Sequence, residues 1–388
     1  MEWENEHFFD GKFGIERETL RVDSEGRLAK TSHPFANPHL SRDFCENQLE
    51  IVTSPNDTIA QTLEELKSLD KEARELLVEQ GESLWLSSNP PHFDSEDEII
   101  HASYSGELAS KSKYRELLEQ KYGKKLMLYC GIHFNFSFTK EYLFDKWDKV
   151  GSFFDFKNDF YFKLMKQCFR YSWLLVLLTS ASPIYDKSFE KDGQSGLKFS
   201  GRASMRNSDV GYWNKFIPVL DYTSVSSYVE SVSSYVLSGK LISPGELYLP
   251  VRLKPEGRNT LESLKTNGIN HIELRMFDIN PLSEIGIYET DLKFAHMFML
   301  YLSSLPNFEF TEQLQKTAVK NHKAAAEFDI DAITINGYPA KAAAMGLLDD
   351  MSWFYKGCAE AQKIIDLQKI KISQDERYCV KILNQVKP

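Results

Sequence analysis

Residues 128–138 have the sequence LYCGIHFNFSF, in which apolar side chains alternate with polar, small or amphipathic ones. Successive side chains of a β-strand point to opposite faces of a sheet, so this alternation predicts a strand with one apolar face and one polar face. His133 and Asn135 lie on the polar face, and Phe134 and Phe136 lie on the other. Strands of this kind are typical of antiparallel sheets that are covered on one side only.

The same alternation recurs at 14–19, 246–254 and 271–277, and the second half of RDFCENQLEIVTS (42–54) also has strand character. Residues 58–80 instead repeat apolar side chains at helical spacing, with charged residues on the other side. Further helices are predicted at 141–180, 288–304, 311–327 and 340–372. We therefore predict an α+β fold in which helices cover the apolar side of a largely antiparallel sheet. The polar side is rich in Glu, Arg and His and forms an open trough.

The composition is globular, with 42% apolar and 26% charged residues. A net charge of −10 argues against a nucleic-acid partner, because such proteins carry basic patches, but a local pocket can still bind a small anion. The acidic stretch MEWENEHFFDGKF (1–13) does not have the pattern of a hydrophobic signal region, and the longest apolar run (173–178) is too short for a membrane span. We expect a cytoplasmic protein without a membrane partner. Its five cysteines are widely spaced and fit reduced thiols: Cys45, Cys130, Cys168, Cys358 and Cys379.

No linker divides the chain, so residues 1–388 are predicted to form a single catalytic domain. The sequence leaves the oligomeric state open, a monomer included.

Several acidic residues lie in or beside the predicted strands: Glu16, Glu18, Asp43, Glu50 and Glu273. Glu16 and Glu18 are two residues apart, which places their carboxylates roughly 7 Å apart on one face. If all five converge, they stay ionised only when cations neutralise them. Carboxylates with one imidazole, that of His133, suit Mg²⁺ or Mn²⁺ better than zinc. Because Mg²⁺ usually bridges to substrate phosphates, the pattern indicates ATP chemistry, although the sequence has no GxxxxGK[ST] motif and no GxGxxG after a strand.

Six stretches of the chain are distinctive: FGIERETLRVDSEGRLAKTSHP (13–34), RDFCENQLEIVTSP (42–55), CGIHFNFSF (130–138), SMRNSDVGYWNK (204–215), LYLPVRLK (247–254) and HIELRMFDINP (271–281). In this order they resemble bacterial glutamate–cysteine ligases (γ-glutamylcysteine synthetases). The resemblance implies a glutamine-synthetase-like fold, in which an antiparallel sheet forms a funnel with flanking helices. It also implies an enzyme that uses Mg²⁺ (or Mn²⁺), with ATP as co-substrate, to join the γ-carboxylate of glutamate to the amine of cysteine. The reaction would pass through γ-glutamyl phosphate, as the first step of glutathione biosynthesis.

The resemblance also implies roles for the residues at matching positions. The metal ligands would be Glu16, Glu18, Asp43, Glu50, His133 and Glu273. Arg206 would bind an amino-acid carboxylate, for which a planar guanidinium is suited. Arg275 would meet the transferred phosphoryl group or glutamate, so that Arg206, Glu273 and Arg275 form the catalytic set. Arg252 and Lys254 would contact ATP together with Arg275.

The substrate-binding residues implied for the amino acids include an aromatic pocket for cysteine. They are Arg206, Glu50, Phe44, Tyr114, Leu118, Met127, Tyr212 and Tyr248. Met127, which we predict to lie on the strand face of His133, departs from the family, because relatives carry a glutamine at that place. A thioether packs well against a thiol, but a hydrogen-bonding group is lost.

Three alternatives to a cysteine ligase follow from the sequence. The first is a γ-glutamyl ligase that acts on a different amine or amino acid, which the departure at Met127 suggests. The second is a non-catalytic binding protein that has kept the fold. The third is a phosphagen-kinase-like activity on a related fold.

Overall fold

The computed structural model describes residues 2–104, 106 and 109–386. Its strands are β1 (Gly11–Val22), β2 (Leu40–Arg42), β3 (Gln48–Val52), β4 (Ser83–Trp85), β5 (Ile132–Phe138), β6 (Ile184–Asp186), β7 (Leu197–Phe199), β8 (Val251–Pro255), β9 (Ile269–Phe277), β10 (Thr334–Ile335) and β11 (Tyr338–Pro339). Seven of them form one sheet in the order β2-β3-β1-β5-β9-β8, and β4 pairs with the end of β1. Every pairing in this sheet is antiparallel, which confirms the prediction from the one-sided strands.

Helices surround this sheet. They are α1 (Ile59–Val78), α2 (Ala109–Tyr122), α3 (Lys140–Lys146), α4 (Phe153–Thr179), α5 (Val225–Leu237), α6 (Leu261–Asn267), α7 (Glu289–Ser304), α8 (Glu312–Ala324), α9 (Ala340–Phe354), α10 (Ala359–Ser373) and α11 (Tyr378–Val386). None of the helices in the described residues is long and apolar enough to cross a lipid bilayer.

One face of the sheet is apolar and lies against α1 and α4, and His296 of α7 also contacts it. Phe13 of β1 and Phe136 of β5 are buried there, with ring centroids 5.4 Å apart, and both rings contact His296 of α7. The alternation of each strand therefore leaves its polar side chains on the opposite face, as predicted.

Two predicted helices are each divided in the structure. The helix predicted at 141–180 is interrupted between α3 and α4, where Lys149 takes a left-handed conformation (φ 63°) and Ser152 caps the start of α4. The helix predicted at 340–372 is interrupted between α9 and α10, where Gly357 has a φ of 97°. At both breaks the backbone turns through a residue with a positive φ. The spacing of apolar side chains in the sequence gives no sign of such a turn.

The strand predicted at 128–138 is also shorter than expected, because it begins at Ile132. Residues 125–128 form a 3-10 turn that ends the preceding segment. Met127 thus belongs to this turn, and its predicted place on the strand face of His133 was wrong. The strand predicted at 246–254 likewise begins only at Val251, after a turn at Pro244–Glu246.

Candidate active site

The polar face of the sheet forms the floor of a cavity of about 520 Å³. Fifteen of the sixteen predicted site residues line it: Glu16, Glu18, Asp43, Phe44, Glu50, Tyr114, Leu118, Met127, His133, Arg206, Tyr212, Tyr248, Arg252, Lys254 and Arg275. The exception is Glu273, whose side chain is completely buried beneath this lining. The six matched stretches are thus brought to one place by the fold.

Antiparallel register brings the acidic residues together. Glu16 of β1 lies opposite His133 of β5, and Glu18 of β1 lies opposite Glu50 of β3. Glu273 of β9 lies opposite Asn135 of β5 on one side and Arg252 of β8 on the other.

The inner group of the site consists of Glu16, His133 and Glu273, whose potential ligand atoms all lie within 4.8 Å of one another. His133 Nδ1 lies 3.2 Å from Glu16 Oε2 and 3.7 Å from Glu273 Oε1. Two cations already pair with Glu273, since Lys254 Nζ is 2.9 Å from Oε1 and Arg275 is 3.0 Å from Oε2. Burial raises the pKa of Glu273, but Arg275 and Lys254 outweigh burial and hold it well below its ordinary range.

The outer group consists of Glu18, Asp43 and Glu50, and its charge is less well balanced. Glu18 Oε2 accepts a hydrogen bond from the Gly131 amide (3.0 Å), and Glu50 accepts one from Ser41 Oγ (3.0 Å). Burial and the neighbouring Asp43 raise the pKa of Glu18 to about 8. Burial, followed by Asp43, Glu16 and Glu18, raises the pKa of Glu50 to about 8 as well. These carboxylates require a cation to be ionised together.

The donor set fits a hard divalent cation. Carboxylate oxygens dominate it, and one imidazole, His133, joins them. The pKa of His133 is lowered to about 4, first by burial and then by Arg275, so its ring is neutral at physiological pH and can act as a ligand. Oxygen-rich sites of this kind suit Mg²⁺ or Mn²⁺.

Arg206 lies at the edge of the acidic groups, in the loop after β7. Its guanidinium donates to the carbonyl oxygens of Phe277 (3.2 Å) and Arg275 (3.0 Å) at the end of β9. Gly131 permits this approach, because a Cβ atom there would lie 2.3 Å from Arg206 Cζ. Arg206 thus keeps further N–H groups for a ligand in the cavity.

Aromatic and apolar side chains form another wall. The rings of Tyr212 and Tyr248 lie with centroids 4.1 Å apart, and Tyr122 packs against Tyr248 at 5.6 Å. Met127 reaches this cavity from its 3-10 turn, and it is buried. A small side chain with an apolar or sulfur end would be accommodated here.

Arg252 lines the cavity with its guanidinium engaged by backbone. It donates to Leu247 O (3.0 Å) and to Gly245 O (2.9 Å). Lys254, by contrast, points its ammonium group at Glu273. Of the two predicted ATP contacts on β8, Lys254 is therefore the closer to the acidic residues.

The sequence patterns did not reveal a group of cationic side chains in this cavity. These side chains surround Tyr104. Arg42, Lys111 and Arg115 lie 4.5, 5.5 and 4.8 Å from the centre of the Tyr104 ring. All four residues line the cavity. Arg42 stands in a matched stretch next to Asp43 and could have been singled out; Lys111 and Arg115 belong to α2, which has no clear amphipathic pattern.

The fold and the cavity together define an α+β enzyme with an acidic, arginine-flanked site on the open face of an antiparallel sheet. Residues 2–325 match the family model described as glutamate–cysteine ligase. The chain therefore belongs to the glutamate–cysteine ligase family.

Individual relatives agree with this assignment. The glutathione biosynthesis bifunctional protein GshAB of Listeria monocytogenes serotype 4b is 40% identical over 311 residues, which cover 75% of this chain and 40% of that protein. The crystal structure of a bifunctional glutathione synthetase from Pasteurella multocida superposes with a TM-score of 0.84 at 27% identity, over 98% of this chain and 50% of that one. The present chain spans about half the length, or less, of these bifunctional relatives.

A second solved structure has the same fold. It is a glutamate–cysteine ligase from Francisella tularensis in complex with AMP, with a TM-score of 0.82 at 24% identity. The match covers 97% of this chain and 87% of that one.

Proposed function

We propose that this chain joins the γ-carboxylate of glutamate to the amine of cysteine at the expense of ATP. The observation that carries the proposal is the convergence of Glu18, Asp43 and Glu50, which need a cation, beside Arg206 and Arg275 in one cavity. Membership of the glutamate–cysteine ligase family supports the same reaction. Residues 1–388 would act as one catalytic unit on small-molecule substrates in the cytoplasm.

Mg²⁺ (or Mn²⁺) would be held by the six predicted ligands, Glu16, Glu18, Asp43, Glu50, His133 and Glu273. When bound, it would neutralise phosphate charge, which is the main requirement of phosphoryl transfer. The residues proposed as ligands would already lie close together, since the register of β1, β3, β5 and β9 sets the positions of all of them except Asp43, which lies in the loop before β3.

Glutamate would be held by the arginines. Arg206 can donate a bidentate pair of hydrogen bonds to an amino-acid carboxylate. Arg275 is positioned by Glu273 at 3.0 Å and faces the cavity, where it can stabilise charge on the phosphoryl group. The γ-carboxylate oxygen would attack the γ-phosphorus of ATP as the bond to ADP breaks, giving γ-glutamyl phosphate.

The acceptor amine would enter beside the aromatic wall formed by Tyr212 and Tyr248. Its nitrogen would attack the acyl carbon of γ-glutamyl phosphate, the bond from that carbon to the phosphate oxygen would break, and the amine would release a proton. Phe44, Leu118 and Met127 are buried around this wall and would surround the acceptor side chain. No enzyme nucleophile is needed, because phosphorylation activates the acyl group.

The experiment is a product assay with the purified chain, Mg-ATP, glutamate and a panel of amines. We expect ADP, phosphate and γ-glutamylcysteine in equal amounts, identified by mass spectrometry. Glu16→Gln is the matched control that should remove turnover while the protein remains folded. Absence of any γ-glutamyl product with every amine would overturn the proposal.

A second candidate, a γ-glutamyl ligase for a different amine, is favoured by Met127. This buried thioether offers no strong hydrogen-bond donor or acceptor to the acceptor side chain. A higher kcat/KM for a non-thiol amine than for cysteine would select this candidate. Met127→Gln should then shift the preference toward acceptors that form hydrogen bonds.

A further inference from the structure

Behind Arg206, on the side away from the cavity, three buried side chains form a chain of hydrogen bonds. Ser172 of α4 lies 2.8 Å from Nδ1 of His322 of α8, and Nε2 of His322 lies 3.2 Å from Oδ1 of Asn207. All three are almost completely buried. We call Ser172, His322 and Asn207 the relay, and none of them lines the main cavity.

The direction of these hydrogen bonds follows from their partners. Asn207 Nδ2 lies 2.9 Å from the carbonyl oxygen of Met276, which can only accept, so the amide nitrogen faces β9 and Oδ1 faces His322. His322 must then donate from Nε2 and accept at Nδ1, which makes Ser172 Oγ a donor. Burial, Arg206 and Lys323 lower the pKa of His322 to about 3, so the ring stays in this neutral form.

Asn207 and its neighbour Arg206 are attached to the same end of β9. Arg206 donates to the carbonyl oxygens of Arg275 and Phe277, and Asn207 donates to that of Met276 between them. Three consecutive carbonyl groups of β9 thus hold two consecutive residues of the loop. The side chain of Asn207 is therefore held beside the carbonyl groups that orient the Arg206 guanidinium.

Arg206 has room to move if this attachment loosens. A small cavity of about 40 Å³ lies between Arg206, His322 and Trp213. On this side no atoms of the described residues pack against the guanidinium, and its hydrogen bonds to β9 hold it in place. A polar histidine at this buried position is otherwise costly, because an apolar side chain would pack there without needing partners.

We propose that His322 is a positioning residue of the site, which fixes the Arg206 guanidinium by holding Asn207 against β9. This proposal rests on the proposed function for one point, the binding of an amino-acid carboxylate by Arg206. It predicts that loss of the His322 donor weakens substrate binding although His322 touches no substrate.

The test uses two substitutions at His322 and a matched control. His322→Met removes the donor, whereas His322→Gln keeps an N–H for Asn207. His296→Met is the control, because His296 is also a buried, neutral histidine and lies on α7, where its ring contacts Phe13 and Phe136. We expect His322→Met to raise the KM for glutamate about tenfold with kcat within about threefold, since small displacements of a binding group have effects of this size or larger. His322→Gln and His296→Met should keep the wild-type KM.

A double mutant separates positioning from general destabilisation. If His322 acts through Arg206, the KM of the Arg206→Lys/His322→Met enzyme should equal that of Arg206→Lys alone. If the two substitutions instead raise the KM by independent factors that multiply in the double mutant, the proposal is overturned. Should His322→Met fail to fold, Ser172→Ala removes only the donor to Nδ1 and should raise the KM about threefold, a smaller effect of the same kind.

One readout does not depend on the ligase reaction. Guanidinium ¹⁵N resonances of Arg206, identified by their loss in Arg206→Lys, should be shifted or broadened in His322→Met and unchanged in His322→Gln and His296→Met. An unperturbed Arg206 signal in His322→Met would overturn the positioning role, even in an active enzyme. Absence of product with wild-type protein would overturn the proposed function instead, and the resonances would still decide the role of His322.

Discussion

At the scale of single residues, the carboxylates of the site differ in what balances their charge. Glu273 has Lys254 and Arg275 as direct partners, whereas the charged neighbours of Glu50 are the carboxylates of Asp43, Glu16 and Glu18. We expect Glu50→Gln to stabilise the metal-free protein by about 1–3 kcal/mol, because it removes one crowded acid. Glu273→Gln should destabilise it by about 3 kcal/mol, because two buried cations lose their partner.

Urea denaturation in EDTA measures both free energies of unfolding. Addition of Mg²⁺ should stabilise the wild type more than Glu50→Gln, since a ligand of the cation is missing in the variant. Equal changes in the free energy of unfolding for Glu50→Gln and Glu273→Gln would contradict this distribution of charge.

Gly131 is another single residue of consequence, because one added side-chain atom there would affect the position of Arg206. An added Cβ would lie 2.3 Å from Arg206 Cζ, so Gly131→Ala must displace the guanidinium. We expect the KM for glutamate to rise about tenfold or more, measured by steady-state kinetics. Gly14→Ala is the control, because a Cβ at Gly14 meets its nearest atom at an ordinary 3.7 Å. A similar KM in both alanine variants would show that Arg206 is not displaced.

At the scale of secondary-structure elements, the sequence predicted the helices and strands whose apolar side chains recur along one buried face. Residues 59–78 form a helix as predicted, because Leu63, Leu66, Ala73 and Leu77 face the sheet. Helices α2 and α5 were not predicted. In α2 only Arg115 and Leu118 are buried, which is too few to set a period. In α5 the helical spacing of Val225, Tyr228, Val229 and Val232 is visible in the sequence, and it was overlooked. The breaks at Lys149 and Gly357 depend on single backbone dihedral angles.

The attachment of α1 to β1 gives a prediction at this scale. Arg17 of β1 is completely buried and pairs with Asp70 of α1, which Arg74 also contacts at 2.5 Å. Asp70→Ala should lower the free energy of unfolding by about 3–5 kcal/mol, because it leaves the Arg17 charge buried and unpaired. Arg74→Ala, which removes the more exposed partner, should cost less than about 1 kcal/mol. Chemical denaturation compares the two, and equal costs would contradict the role of Arg17.

At the scale of the whole molecule, two buried histidines make stability sensitive to acid. Burial lowers the pKa of His296 to about 3, and burial followed by Arg206 and Lys323 lowers that of His322 to about 3. An unfolded histidine takes up a proton near pH 6.5 and the folded one does not, so stability is lost as the pH falls from about 6.5 toward 3. Each histidine should contribute a loss of about 2 kcal/mol between pH 7 and pH 5.

His296→Met tests this pH dependence. The difference in unfolding free energy between pH 7 and pH 5 should shrink by about 2 kcal/mol in the variant, as measured with urea. An unchanged difference would mean that His296 does not contribute.

The convergence of the site is also a property of the whole molecule. The alternation of each strand predicted which side chains share a face, but only the sheet order showed that β1, β3, β5, β9 and β8 are neighbours. The ion pairs of Glu273 and the cations around Tyr104 depend on side-chain positions across strands and helices. No local pattern contains that information, and for the same reason the relay from Ser172 to Asn207 was not foreseen.

The order in which the charged residues of the site are synthesised has a consequence for folding. Glu16, Glu18, Asp43 and Glu50 emerge within the first 50 residues, but Lys254 and Arg275 follow some 200 residues later. A nascent chain that stops before β8 therefore exposes mutual repulsion without its internal counter-ions. Strands β1, β2 and β3 are thus made without the cations of β8 and β9, and the central sheet is complete only once β9 has been synthesised.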